Sequence, residues 1–140
     1  MFLGEHRHAL DEKGRVIFPA KMREELGAQV VLQKGIEPCI NVLPPEEWER
    51  QVQRVNELPT TNPEARRYSR FFFSQATGER IDKQGRLTIP AALREYAGLG
   101  QQVVIVGGGR RVEIWDADRW EAFRSEVEPN IENLATDLGI

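Results

Sequence analysis

Two five-residue segments carry the side chains best suited to chemistry. Asp11-Glu12-Lys13-Gly14-Arg15 and Asp82-Lys83-Gln84-Gly85-Arg86 each open on a carboxylate and close on a glycine and an arginine. Asp at the start and Gly near the end are the signature of a tight turn. Asp11, Gly14, Asp82 and Gly85 are therefore expected to structure the two turns. An arginine leaving such a turn has a rigid base and a long reach. The planar fork of Arg15 or Arg86 matches a guanine edge or a phosphate through two hydrogen bonds at once. Lys13 and Lys83 lie in the same turns and suit phosphate. A second reading gives the arginines a purely local job, with Arg15 pairing to Asp11 and Arg86 to Asp82 to lock the turn. Both can hold together, because an aspartate can keep an arginine extended toward DNA.

Other chemistries find less support. Asp11 and Asp82 could act as paired carboxylates, but their turn signatures explain them without catalysis. There is no Gly-x-Ser-x-Gly elbow, and His6 and His8 are the only imidazoles. No enzyme activity is expected. His6 and His8 alternate with Arg7, so a strand would put both on one face. One His-x-His beside a cation falls short of the usual four-ligand set, and no metal or cofactor is expected. Cys39 is the only cysteine; it cannot form an internal disulfide and reads as a small buried residue. Gly107-Gly108-Gly109 lacks the Lys-Ser/Thr ending of a phosphate loop and reads as a hairpin turn.

The elements that position the two turns repeat as well. Residues 10–24 return as residues 81–95 at a constant offset of 71, with Asp, Gly, Arg, Pro, Ala, Arg and Glu identical. Gly27 falls on Gly98, and Trp48 falls one residue out of step with Trp120. Repetition of this kind means two equivalent structural units. Each reads as strand, turn, strand, short helix, strand, turn, strand, longer helix. Val16-Ile17-Phe18 and Leu87-Thr88-Ile89 are β-favouring runs. Pro19 and Pro90 mark helix starts and Gly27 and Gly98 helix stops. The short helices should bury Met22 with Leu26, and Leu93 with Ala97. Residues 29–32 and 102–106 read as buried strands, paired in hairpins with 40–42 and 112–115. Later helices follow Pro44-Pro45 and Asp116. A connector helix starting at Asn62-Pro63 carries Arg66, Arg67, Tyr68, Arg70, Phe71, Phe72 and Phe73. Its aromatics are expected to pack inward with the arginines solvated; an interface or an arginine wall for phosphate is the other reading.

The 140 residues and 40% hydrophobic content suit one compact domain or two very small ones. No apolar run approaches the length of a membrane span, and the N-terminal residues lack a signal-peptide apolar region. A cytoplasmic location is expected. Net charge is −3, yet residues 58–111 hold +5 and residues 112–140 hold −6. A local basic face can bind phosphate despite an acidic total.

The paired Asp-x-x-Gly-Arg and Pro-Ala-x-x-Arg-Glu motifs, with the Met-Phe-x-Gly start and the Arg-Tyr-x-Arg-Phe-Phe connector, resemble the MraZ family of bacterial transcription regulators. One copy of the motif would point only to the wider AbrB-like group. The resemblance implies an α+β, mainly β fold: a swapped-hairpin, double-split β-barrel built from two intrachain repeats with flanking short helices. Its parts would be repeat 1 over residues 5–52, a connector over 53–77, repeat 2 over 78–124 and an acidic C-terminal tail over 125–140. It further implies a nucleoid-associated repressor that forms ring-like homo-oligomers. Its partner is double-stranded DNA, as repeated promoter boxes upstream of the division and cell-wall gene cluster. DNA contact would fall on the Asp11–Arg15 and Asp82–Arg86 motifs. An AbrB-type antitoxin, whose acidic end would meet a basic toxin, is the competing reading.

Overall fold

A computed structural model describes residues 1–140. Repeat 1 runs through β1 (Glu5–Ala9), β2 (Arg15–Ile17), α1 (Ala20–Leu26), β3 (Gln29–Lys34), β4 (Ile40–Leu43) and α2 (Pro45–Asn56). The connector is α3 (Pro63–Gln75). Repeat 2 retraces the pattern with β5 (Thr77–Arg80), β6 (Arg86–Thr88), α4 (Ala91–Ala97), β7 (Gln102–Gly107), β8 (Val112–Asp116) and α5 (Ala117–Val127). A 3₁₀ turn (Glu128–Asn130) then leads into α6 (Ile131–Asp137). No helix is long and apolar enough to cross a membrane.

Local chemistry accounts for the helix ends. α1 and α4 begin directly after Pro19 and Pro90, whose fixed φ suits a helix entry. Both end at a glycine of positive φ, Gly27 and Gly98. Asn62 caps α3 by accepting the Glu64 N–H at 2.9 Å. α2 runs to Asn56 and α5 to Val127, so both long helices extend a few residues beyond their repeats as drawn from sequence.

The strands form an antiparallel six-stranded sheet in the order β1-β7-β8-β4-β3-β5 and a separate two-stranded ladder, β2-β6. The sheet is open; it does not close into a barrel. Each repeat makes one hairpin of its own, β3–β4 and β7–β8. The other strands cross over: β1 pairs with β7, β5 with β3, and β2 with β6. The hairpins meet along β4–β8, where Ile40 faces Ile114 and Val42 faces Val112. Neither repeat completes its sheet alone.

Strand alternation sends side chains to two cores. Val16, Phe18, Leu87 and Ile89 from the ladder and its ends join Met22 and Leu26 of α1, Leu93 and Ala97 of α4, and Leu32, Ile105 and Ile114 of the sheet in one cluster of 18 buried residues. On another face, Cys39, Val104, Val106, Trp115 and Trp120 form a smaller cluster beneath α5. Burial pushes the Cys39 thiol up to about 12, so it stays protonated at neutral pH.

The connector aromatics depart from the sequence expectation. Phe72 is buried and stacks on Trp48, with centroids 5.0 Å apart and planes 6° from parallel. Tyr68 and Phe71 remain 55% and 53% exposed, and Phe73 is exposed too. A helix turns about 100° per residue, so three consecutive phenylalanines point in three directions and one packed edge covers only one of them. The acidic C-terminal segment is also more ordered than its composition suggests, with α6 spanning seven residues.

Because the repeats share their sheet, they should unfold as one unit. Ile114 has no exposed surface and pairs with both Ile40 and Ile105. Ile114→Ala is expected to destabilise the protein by about 2–5 kcal/mol. Chemical denaturation followed by circular dichroism and by tryptophan fluorescence should still give coincident transitions. Two separated transitions would contradict the shared sheet.

Candidate nucleic-acid interface

Each turn is organised by its aspartate. The Asp11 N–H donates to the Arg15 carbonyl at 2.9 Å, and the Gly14 N–H to the Asp11 carbonyl at 3.0 Å. Asp11 Oδ1 accepts from the backbone N–H groups of Lys13 and Arg15, each at 2.9 Å, while Oδ2 accepts from Arg15 Nε at 2.7 Å. The second copy repeats the pattern bond for bond. Asp82 Oδ1 accepts from Gln84 N–H at 2.9 Å and Arg86 N–H at 2.8 Å, and Oδ2 from Arg86 Nε at 2.7 Å. Gly14 and Gly85 have φ of 73° and 83°, a conformation glycine adopts without a Cβ penalty.

The clamp uses only the Nε edge of each guanidinium. The Nη groups of Arg15 and Arg86 make no hydrogen bond within the chain and are free for an external acceptor. With Nε fixed, less side-chain entropy remains to be lost when a ligand binds.

The β2–β6 ladder brings the two turns together. Arg15 lies opposite Thr88, Val16 opposite Leu87, and Ile17 opposite Arg86. Val16 and Leu87 point inward and are fully buried. The alternate positions, Arg15, Ile17, Arg86 and Thr88, share the outer face, with the arginines on a diagonal. Two bonds extend the ladder: Phe18 N–H to the Gly85 carbonyl and Ile89 N–H to the Gly14 carbonyl, both 2.9 Å.

Two further arginines belong to the site. The Arg94 guanidinium lies against Gly14, where a Cβ would stand 2.9 Å from Arg94 Cζ. Arg23 lies against Gly85, where a Cβ would stand 2.5 Å from Arg23 Nη1. Each therefore roofs the turn of the other repeat. Arg94 Nε donates to the Ile89 carbonyl at 3.0 Å, whereas Arg23 Nε is buried without a partner. Their identity in both copies was the available signal, but only the crossed strands show which turn each one reaches.

The lysines are not equivalent. Lys13 is the third residue of its turn, where the second copy has Gln84; Lys83 is the second, where the first copy has Glu12. Both are exposed. His6 and His8 share a face of β1. Burial, and then the neighbouring His6, lower the His8 pKa.

Comparison with known proteins decides the family. The family model described as "MraZ protein, putative antitoxin-like" matches twice, over residues 1–71 and 72–139. The chain belongs to the MraZ family. A transcriptional regulator MraZ from Heliobacterium modesticaldum is 47% identical over 99% of this chain and 96% of the relative. One from Syntrophomonas wolfei is 45% identical over the whole of both chains. One from Paenarthrobacter aurescens is 52% identical over 91% of this chain and 90% of the relative. The two matches of the MraZ model divide the chain within α3, between Phe71 and Phe72.

The aspartate clamp makes the turns sensitive to acid. The Arg15 backbone N–H, with the Arg15 guanidinium and the Lys13 N–H, holds the Asp11 carboxyl below its ordinary range. The Arg86 backbone N–H and guanidinium do the same for Asp82. A lowered carboxyl stabilises the turn above its unfolded pKa, and that contribution is lost as pH falls through the folded value. Arg15 and Arg86 Nε–H signals should therefore be protected from exchange at neutral pH and lose protection only as pH falls through the lowered Asp11 and Asp82 values, beneath the ordinary carboxylate range. Asp11→Asn/Asp82→Asn should weaken that protection throughout, as measured by proton–nitrogen NMR. Equal protection in wild type and variant would contradict the clamp.

Proposed function

We propose that the protein is a sequence-specific DNA-binding transcriptional regulator whose reading surface is the outer face of the β2–β6 ladder. The observation that carries this reading is the presentation of Arg15 and Arg86. They share one face, their Nε edges are held by Asp11 and Asp82, and their Nη groups have no partner in the chain. A guanidinium restrained on one edge and open on the other suits two-point recognition of guanine O6 and N7. Ile17, exposed between them, could meet a thymine methyl. Lys13 and Lys83 would hold phosphates at the turn tips. The names of the close relatives support regulation of transcription as the biological role.

The finer reading follows the family resemblance. The crossing of strands between the repeats supports a swapped-hairpin arrangement in which the two repeats would take the places of two chains, although the six-stranded sheet itself is open. The targets would be repeated promoter boxes upstream of the division and cell-wall genes, read by a ring-like homo-oligomer acting as a nucleoid-associated repressor. One unit offers few base contacts, so several units on adjacent boxes would gain avidity. The acidic C-terminal segment keeps a second reading open, an antitoxin that sequesters a basic toxin and regulates its own operon.

Arginine and lysine substitutions separate base reading from phosphate contact. Arg15→Lys/Arg86→Lys keeps the charge but loses the fork. Specific binding should fall by about 1–3 kcal/mol per lost contact, while binding to unrelated DNA changes little. Fluorescence anisotropy on promoter and scrambled duplexes at fixed salt is the measurement. Equal specificity in variant and wild type would refute the assignment.

Lys13→Ala or Lys83→Ala should weaken binding to both duplexes alike. The salt dependence should become shallower by about one unit in the log–log slope per phosphate contact removed. A changed base preference with an unchanged slope would assign the lysine to the bases instead.

A further inference from the structure

α6 carries its large apolar side chains on one side. Ile131 and Leu134, with Leu138 just beyond the helix, follow i, i+3, i+7 spacing and form one stripe. All three are exposed, Leu138 at 74%. Glu132 and Asp137 border the stripe on opposite sides. Residues 125–140 contain four carboxylates and no Lys or Arg. Within the chain α6 packs against the preceding 3₁₀ turn, which leaves the stripe uncovered.

A groove of opposite character lies between the end of α2 and α3. It encloses about 560 Å³, and its apolar lining is Val55, Leu58, Ala65 and Phe73. Arg66 and Arg70 are its only charged residues; no carboxylate lines it. Arg66 donates to the Thr60 carbonyl at 2.9 Å, and Arg70 has no ion pair in the chain. Leu58 and Phe73 are 39% and 40% exposed, so the groove floor is open to a partner.

We propose that α6 of one copy seats its apolar stripe in the α2–α3 groove of a second copy, with Glu132 and Asp137 meeting Arg66 and Arg70. This inference rests on the self-assembly reading above and names the surfaces that would make it. An acidic helix with anchors at i, i+3 and i+7 has the form that apolar grooves accept. Complementary charge on the rim sets register and orientation. Helix and groove are different surfaces of one chain, so the contact is head-to-tail, and repeated copies form a ring when the rotation closes. A seven-residue helix makes an interface well below the standard size of about 1,600 Å². A single junction is therefore weak, and a closed ring, in which each copy makes two junctions, is the species that accumulates.

The test uses the full chain and sedimentation velocity over a concentration series. Wild type should assemble. Ile131→Asp/Leu134→Asp and Arg66→Glu/Arg70→Glu should each run as monomers where wild type is assembled, with the association midpoint raised about a hundredfold or more. All four substituted side chains are exposed, so circular dichroism should match wild type. Combining Glu132→Arg/Asp137→Arg with Arg66→Glu/Arg70→Glu in one chain reverses both rims and should restore assembly. Restored mass in that quadruple variant would support the contact even if one double variant folds poorly. If wild type assembles and both double variants assemble equally well, the helix-in-groove contact is wrong while self-assembly stands. If wild type is monomeric at every concentration, the self-assembly reading itself fails.

Discussion

The exchange of β2 and β6 between the repeats is the constraint on which the rest of the molecule depends. Alone, each is a three-residue strand without a partner in its own repeat. Paired, they bury Val16 against Leu87 and insert both into the main core. The bonds from Phe18 to Gly85 and from Ile89 to Gly14 then tie each turn to the strand that leaves the other. Neither turn can be placed without the opposite repeat, and so two short sequence motifs become one surface.

Within that frame the turn is a compact solution to a positioning problem. The aspartate satisfies two backbone donors and one side-chain donor with one carboxylate. The glycine supplies the positive φ and also leaves room for the arginine of the opposite repeat. A larger residue there would meet both a strained backbone and a guanidinium within 3 Å. The arginine keeps one edge in the clamp and offers the other to solvent. Rigidity and availability come from the same hydrogen bonds.

The internal symmetry is close in its backbone and looser in its side chains. The clamps match bond for bond, yet Lys13 and Lys83 occupy different steps of their turns, and Arg94 has a carbonyl partner where the Arg23 Nε has none. The two turns thus carry similarly placed arginines and dissimilarly placed lysines. The helices outside the sheet are less alike still. α5 caps a buried tryptophan cluster, whereas α2 shares its aromatic contacts with the connector helix α3.

Much of this architecture was legible in the residues. Proline and glycine punctuated α1 and α4, alternation and β-branched runs marked the strands, and the 71-residue offset revealed two equivalent units. The chemistry of each turn was readable because its donors and acceptors lie within five residues. What residue order left undecided was every relation between the repeats. A β3–β4 hairpin is a local event, but β1 with β7, β3 with β5 and β2 with β6 are chosen by which pairing buries the most apolar surface in one core. Arg23 and Arg94 show the difference. Their positions were evident from the repeat, but the turn each one covers is more than 60 residues away in sequence. The burial of Phe72 beside exposed Phe71 and Phe73 had the same origin. By itself the sequence determined the turns, the punctuation and the duplication, because those arise from contacts between near neighbours. Only the tertiary structure decided that two arginines share a face, because that depends on strands meeting across the whole chain.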